Sequence, residues 1–203
     1  MRVYTVRIYL EASATPVWRT LNIDPRWTFH SLAEAFALSL QVPFGTYEFL
    51  ALEEHVRITN SKELLAQQAF LKSSEGADYL KEAEERNFEV DHQTRIEDAE
   101  ETPIVRYLLE EKEVRYLPHI EENWCYKIRL LGKEEAEIAL LEGQGSAPQG
   151  YFDDQEGQEL LWSVLTDPHH PDYEALRSWL DKEGVHIFDL EEARQSLKER
   201  WPS

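Results

Sequence analysis

The sequence contains a single cysteine, Cys125, among its 203 residues. One cysteine cannot form an intramolecular disulfide, a CxxC metal knuckle or a dithiol redox pair, so these functions are excluded. The N-terminus MRVYTVRIYLEA alternates charged and apolar residues and does not join a basic segment to an apolar run, as an export signal would. No stretch approaches the roughly 20 apolar residues that span a bilayer. We therefore expect a cytoplasmic protein without a membrane partner.

Basic residues are scarce relative to acidic ones. Twenty-one Lys and Arg residues face 40 Asp and Glu residues, for a formal net charge of −19. This charge repels phosphate backbones and lipid headgroups, and the sequence shows no local basic patch that would overcome it. We predict no direct nucleic-acid binding, and a protein partner that is basic if electrostatics drive the association. A solvated acidic surface without a partner explains the same charge.

Catalytic motifs are also missing. The sequence has no phosphate-cradling glycine loop, no GxSxG elbow and no HExxH pair, and no cofactor is predicted. A cysteine nucleophile needs a base within hydrogen-bond reach, yet His119 lies six residues before Cys125 along an extended segment. The pattern favours a protein that is not an enzyme.

Apolar periodicity predicts an α+β fold. In VYTVRIYL, Tyr4, Val6, Ile8 and Leu10 share one face of a strand, and VWRTLNI follows as a second strand. Thr28 is a suitable N-cap for the helix FHSLAEAFALSLQ, and TYEFLAL then returns as a strand. The order is β-β-α-β. We expect a mixed sheet with one helix packed across it, loosely like a β-grasp.

The rest of the chain divides by composition. Residues 75–101 hold eleven acidic against three basic side chains, which indicates an acidic, partly helical insertion at about 53–101. NWCYKIRLL is a later strand of the sheet domain, which we place at 1–142. Residues 143–203 form a Gly, Ser and Pro loop followed by a C-terminal helical cap, where Asp189 and Glu192 have capping-box spacing.

The stretch DPHHPD contains the adjacent residues His169 and His170. Neighbouring positions do not share a helix face, and helical metal pairs are usually four residues apart, so these histidines do not readily chelate one ion. Two flanking prolines favour a turn that ends one helix and begins the next. Metal binding by one of them together with His119 or His186 stays open.

Six segments of the chain together carry a resemblance to known proteins. They are, in order, YTVRIYLEASATPVWRTLNI, TFHSLAEAFALSL, YEF, VRYLPHIEENWCYKIRL, DPHHPDYEALRSWL and FDLEEARQSL. These segments resemble the plasmid pRiA4b ORF-3-like family, bacterial proteins also known as transposon passengers. The most specific pieces of this resemblance are the Pro-Val-Trp-Arg at 16–19 and the run at 167–180, and it skips the acidic segment. The resemblance implies an α+β protein found near mobile elements, with no established activity.

The chain departs from the family pattern at polar positions. Where the family reads Tyr-Asp-Phe-Gly-Asp-x-Trp-x-His, residues 118–126 keep Trp124 but replace most of the acidic, glycine and histidine positions. The family's Cys-x-x-Gly and Pro-Pro-Glu-Asp segment is reduced to Gly143 and Pro148. If these segments form a ligand or metal site in relatives, we expect this divergent member to have lost or remodelled it.

Three functional hypotheses follow. The first is a non-catalytic binding or regulatory protein whose Trp18, Trp124 and loop 143–157 border a groove between sheet and cap. Its predicted binding residues are Trp18, Arg19, His119, Glu122, Trp124 and Tyr126. The second is a metal-dependent hydrolase that uses His119, Glu122, His169 or His170. The third is an acidic decoy that binds a basic nucleic-acid-binding protein, an interaction that salt would weaken.

Overall fold

The chain begins with an antiparallel hairpin of β1 (Arg2–Leu10) and β2 (Trp18–Ile23). Val6, Ile8 and Leu10 point into the core, as their period-two spacing predicts. β2 is buried on both faces, because Thr20 and Asn22 are covered as well as the apolar positions. The computed structural model describes residues 1–11, 16–86, 88, 94–119, 124–148, 155–165, 167–183 and 187–202.

Six further strands complete one mixed sheet in the described ranges. They are β3 (Glu48–Ala51), β4 (Val56–Thr59), β5 (Arg95–Asp98), β6 (Val114–Leu117), β7 (Tyr126–Glu135) and β8 (Ala139–Gln144). The strand order is β5-β4-β3-β6-β7-β1-β2-β8, and every neighbouring pair is antiparallel except β4 and β5. The α+β class predicted from the sequence is confirmed. In this order β1 lies between β2 and β7, both antiparallel to it.

Helix α1 (Phe29–Leu40) packs across one face of the sheet. The Thr28 side chain accepts a hydrogen bond from the Ser31 amide, so the predicted N-cap is confirmed, and the helix ends at Gln41 with φ 57°. Phe29, Leu32 and Phe36 join the buried strand residues in the main core. Each such side chain contributes about 1.5–3 kcal/mol on burial, which holds the helix against the sheet.

The acidic segment 53–101 contributes to the sheet. It contains β4, the helices α2 (Lys62–Leu71) and α3 (Ser74–Glu85), and β5. Val56 and Ile58 of β4 belong to the main core. In the described part of this segment most acidic residues lie in helices and turns. Strand β5 carries Glu97 and Asp98, and β4 carries the buried apolar residues.

Three helices follow β8: α4 (Gln155–Leu165), α5 (Tyr173–Glu183) and α6 (Leu190–Arg200). Helix α6 packs on α1 and β8 through Ala193 and Leu197, and the Asp189 carboxylate caps it as predicted. The buried leucines of α4 and α5, Leu161 and Leu180, form a cluster separate from the main core. No helix among the described residues is both long and apolar enough to cross a bilayer.

Helix side chains occupy both edges of the sheet. At the β5 edge, the Ile96 amide donates to Gln68 Oε1 of α2 over 3.3 Å. At the β8 edge, Arg194 of α6 donates from Nε to the Leu140 carbonyl over 3.0 Å and from Nη2 to the Leu141 carbonyl. Unpaired strand edges are the usual templates for strand addition, so these contacts disfavour binding by that route.

Candidate binding site

The predicted site residues Trp18 and Arg19 point to opposite faces of β2. Trp18 lies on the polar face of the sheet, where the Arg7 guanidinium stands 4.7 Å from its ring. Arg19 lies on the core face and is completely buried. Successive strand residues alternate between faces, so these two predicted binding residues lie on opposite sides of the sheet.

Arg19 ties three parts of the fold together. Its guanidinium donates four hydrogen bonds of 2.6–2.8 Å, which end on the carbonyls of Trp18, Ser39, Gln144 and Gly145. No carboxylate lies within ion-pair distance of it in the described ranges. Burial lowers the pKa of Arg19 to about 9, an effect that Tyr126 partly opposes. These bonds join β2 to the end of α1 and the end of β8.

Two glycines, one in β8 and one in the turn after it, leave the space that the Arg19 side chain and the Pro16 carbonyl occupy. A Cβ on Gly143 would stand 2.6 Å from Arg19 Cδ, and Phe188 stacks 3.3 Å from the Arg19 guanidinium carbon. Gly145 has φ +73°, and a Cβ there would stand 2.3 Å from the Pro16 carbonyl oxygen. The segments 16–19 and 143–145 thus fit each other as packing partners.

The other predicted site residues are spread over the fold. Tyr126 is buried in the main core, and Trp124 packs against that core at the start of β7. His119 follows β6, and its ring packs close to Gly45. Glu122 lies outside the described residues. The binding role predicted for these residues stays a prediction.

The polar face of the sheet carries paired charges. Arg115 and Lys127 form a ring of ion pairs with Glu11 and Glu113, with N to O distances of 2.8–3.5 Å. Burial raises the pKa of the neighbouring Cys125 thiol, with Arg115 opposing the effect, so this thiol is a poor nucleophile. The ring pairs two positive charges of this face, those of Arg115 and Lys127.

Arg129 is the exposed cation of this face that stands apart from the ring. Its guanidinium lies 5.5 Å from the Tyr9 ring, and no carboxylate of the described ranges is within ion-pair distance. A depression of about 330 Å³ beside it has a mixed lining of Glu111, Lys112, Glu113, Arg129, Leu130 and Leu131. The lining contains two acidic and two basic residues, so it does not indicate whether a ligand would be an anion or a cation.

A hydrogen bond that sequence reasoning missed joins His30 Nδ1 and the Tyr47 hydroxyl over 2.8 Å. Tyr47 is fully buried. Burial raises the pKa of this hydroxyl, and the negative charges of Glu100, Asp98 and Glu34 raise it further. A phenol with a raised pKa stays protonated and gives up its proton poorly. The hydrogen bond joins α1 to the residue before β3.

The histidine pair forms the turn between α4 and α5, as predicted. The Asp167 carboxylate accepts from the His169 amide over 3.0 Å, and His170 Nδ1 accepts from the Asp172 amide over 3.2 Å. In the described residues, no three His, Cys, Asp or Glu side chains are grouped so that they could hold a metal ion. His186, the other candidate metal ligand from the sequence, lies outside the described residues.

An apolar groove runs between α4 and α5, with a volume of about 410 Å³. We name it the α4–α5 groove. Helix α4 contributes Gly157, Leu160, Leu161 and Val164. The turn and helix α5 contribute Asp172, Ala175, Leu176 and Trp179. Both sets have the spacing i, i+3, i+4, i+7, which is one stripe of an α-helix.

Within each of the two helices, burial differs between neighbouring residues. Leu161 is 4% exposed and Leu180, which packs beneath the lining, is 1% exposed. Leu160 and Trp179, on the outer side, are 67% and 37% exposed. Side chains of this size in contact with water are costly, and a contiguous set of them marks an interaction surface more often than a lone exposed leucine does. The groove can bury apolar groups, and among its described lining residues Asp172 alone carries a reactive side chain.

Comparison with known proteins concerns the family and the fold. The sequence matches the family described as plasmid pRiA4b ORF-3-like protein over residues 2–196, a range that includes segment 53–101. The structure is similar to the crystal structure of the protein of unknown function MM3350 from Methanosarcina mazei Go1. The TM-score is 0.62 at 17% identity, over 94% of this chain and 96% of that one. No protein with a curated description matches the chain.

Proposed function

The chain belongs to the plasmid pRiA4b ORF-3-like family, and on this premise we propose that it is a non-catalytic binding protein. Its α4–α5 groove receives one helix of a protein partner. The observation that carries this proposal is the pair of facing apolar stripes, whose outer residues Leu160 and Trp179 are exposed. No activity is attributed to the fold, because similarity to a structure at 17% identity speaks to the fold alone.

A helix is the occupant that fits this geometry. Two helices joined by a turn, with apolar stripes at i, i+3, i+4 and i+7, present a hollow into which the side chains of a third helix can pack. The lining is almost wholly apolar, and its charged member, Asp172, stands at one end. A small-molecule site usually adds several convergent polar groups to such a cavity, which this lining lacks.

Two other surfaces suit a partner less well. The sheet edges are occupied by Gln68 and Arg194, which hinders strand addition. On the polar face, Arg115 and Lys127 are already paired with carboxylates, and a partner would have to break those pairs to use them. A partner helix in the groove breaks none of these ion pairs, because none of their members is among the described lining residues.

The place of action is also part of this proposal. We place the protein in the cytoplasm, which its single, half-buried cysteine Cys125 supports because disulfide-built proteins belong to oxidising compartments. A link to mobile elements is supported by the plasmid named in the family description. In this setting the protein regulates its partner by binding one of the partner's helices in the α4–α5 groove.

The test uses synthetic amphipathic peptides of about 18 residues, long enough to form a helix. Titration calorimetry measures their binding to the full chain and to the variants Leu160→Ser and Trp179→Ser. We expect at least one amphipathic peptide to bind, and each variant to weaken it about tenfold, as residues central to an interface do. Leu52→Ser is the matched control, because Leu52 is 44% exposed in the turn after β3. Binding that both groove variants leave unchanged would overturn the proposal.

A further inference from the structure

We infer that the helix bound in the α4–α5 groove is basic as well as amphipathic. This inference rests on the proposed function and adds the chemical class of the partner. It follows from the charge around the groove, which is a property separate from its apolar lining.

The hairpin that forms the groove is strongly acidic. Residues 155–183 contain seven acidic and two basic side chains, a net charge of −5. The Asp172 carboxylate lines the groove and is 77% exposed. Asp167 and Glu174 are exposed in the same turn and first helical turn. A partner helix laid in the groove therefore has carboxylates at the α4–α5 turn, which can pair with its lysines and arginines.

The two basic residues of the hairpin do not reverse this field. Arg177 donates from Nη1 to the Tyr173 hydroxyl over 3.1 Å, and Lys182 is exposed near the end of α5. Neither residue lines the groove. The charge nearest to a bound helix is thus negative, and the net charge of the whole chain is negative as well.

The same field disfavours the alternative occupants. A second copy of this chain carries the same charge of −19, so self-association must overcome repulsion between two acidic molecules. An anionic lipid or a nucleic acid meets the same repulsion. A basic helix combines apolar burial in the groove with attraction at its rim, which raises the association rate as well as the affinity.

The experiment compares three peptides that share one leucine stripe and differ in the polar face, which is lysine, glutamine or glutamate. A scrambled leucine and lysine peptide has the same charge without the stripe. Calorimetry with the full chain measures each affinity in about 50 mM and about 500 mM NaCl, where screening differs strongly. We expect the order lysine, glutamine, glutamate, with the lysine peptide at least about tenfold tighter than the glutamate peptide at low salt.

The charge variant Asp172→Asn and the groove variant Leu160→Ser separate the two contributions. We expect Asp172→Asn to weaken the lysine peptide severalfold and to leave the glutamine peptide unchanged. Leu160→Ser should weaken both peptides. The control Asp78→Asn, an exposed aspartate of α3, should affect neither peptide.

The possible failures are distinguishable. If lysine and glutamine peptides bind equally in both salts and depend on Leu160, the basic partner is wrong while the proposed function stands. If the scrambled lysine peptide binds as tightly as the ordered one and Leu160→Ser has no effect, charge alone acts and both proposals are overturned. A concentration-dependent dimer that Leu160→Ser abolishes would overturn both as well, because a second copy would then fill the groove.

Discussion

The main core and the α4–α5 hairpin use apolar residues in opposite ways. In the main core, Val6, Leu21 and Phe36 are completely buried and surrounded by other side chains. In the hairpin, Leu161 and Leu180 are buried, while Leu160 remains 67% exposed. The first region gains its stability within the chain, whereas the second keeps apolar surface that a partner could cover.

This difference separates residues that build the fold from residues that we assign to binding. Trp18, Arg19 and Tyr126 attract attention in the sequence because they are large or charged, yet Arg19 and Tyr126 lie inside the core. Leu160 and Trp179 belong to an ordinary amphipathic pattern, yet they form the surface that we assign to binding. The binding surface that we propose is therefore assigned from the exposure of apolar residues after folding.

Replacement of Arg19 by methionine should have the largest effect. The change removes four hydrogen bonds, including those to the carbonyls of Ser39, Gln144 and Gly145. Because buried carbonyls then lose their donors, we expect the unfolding free energy to fall by about 3 kcal/mol or more. Urea unfolding followed by circular dichroism measures it. Arg129→Met, at an exposed arginine, is the matched control and should change the free energy by less than about 0.5 kcal/mol. Equal stability of the two variants would contradict the structural role of Arg19.

Leu180→Ala tests whether the hairpin is energetically separate from the core. We expect a local loss of about 2 kcal/mol, because a buried leucine is removed from a cluster of few members. Hydrogen exchange should accelerate in α4 and α5 and stay unchanged in β1 and β2. Leu21→Ala is the counterpart in the main core and should lower protection in every element. Equal loss of protection across the chain in both variants would show that the two regions unfold together.

Asp24→Asn tests an ion pair at the boundary of the main core. Hydrogen bonds from Arg26 lower the pKa of the Asp24 carboxyl, although its burial opposes them. The stabilisation is therefore complete above the ordinary aspartate pKa of about 3.9 and is lost as the pH falls through the lowered value. We expect about 1 kcal/mol of lost stability at neutral pH, and a smaller further loss than wild type on acidification to about pH 2.

The exposed Asp172 of the hairpin provides the control for this measurement. Asp172→Asn should change the unfolding free energy at neutral pH by less than about 0.5 kcal/mol, because its side chain is 77% exposed. Parallel acid unfolding curves for wild type and Asp24→Asn would show that the Arg26 pair contributes nothing to stability.

Leu160→Ser should have the smallest effect on the isolated protein. A leucine that is 67% exposed loses little burial, so the unfolding free energy should change by less than about 0.5 kcal/mol. The same variant should weaken peptide binding about tenfold. A thermal melt beside the calorimetric titration makes the contrast direct. A variant that unfolds easily would place Leu160 in the stabilising cluster and not on the binding surface.

Local patterns predicted the elements that depend on neighbours in sequence. The period-two spacing of β1, the caps Thr28 and Asp189 and the turn at His169 and His170 are all confirmed, because each involves residues only a few positions apart. Strands β4, β5 and β8 were not recognised. They are four to six residues long, and their composition is mixed or acidic, so pairing with distant strands decides their conformation.

The candidate site was harder to predict than the fold. The spacing of Leu160, Leu161 and Val164 in the sequence is that of one helix side. The sequence of one helix does not reveal how much of that side its neighbours will cover. For Arg19, the four carbonyl acceptors come from β2, α1 and the end of β8, up to 126 residues away in the chain. The sequence around Arg19 does not predict these hydrogen bonds.

The sequence by itself determined the α+β class, the helix caps and the acidic charge, because these depend on composition and on spacing over one or two turns. The tertiary structure alone decided that Arg19 is enclosed by carbonyl groups while Leu160 is left in solvent. The physical reason is that burial is a property of the assembled surfaces. The solvent exposure of a side chain depends on which distant elements pack over it, and this is decided only when strands and helices pack together.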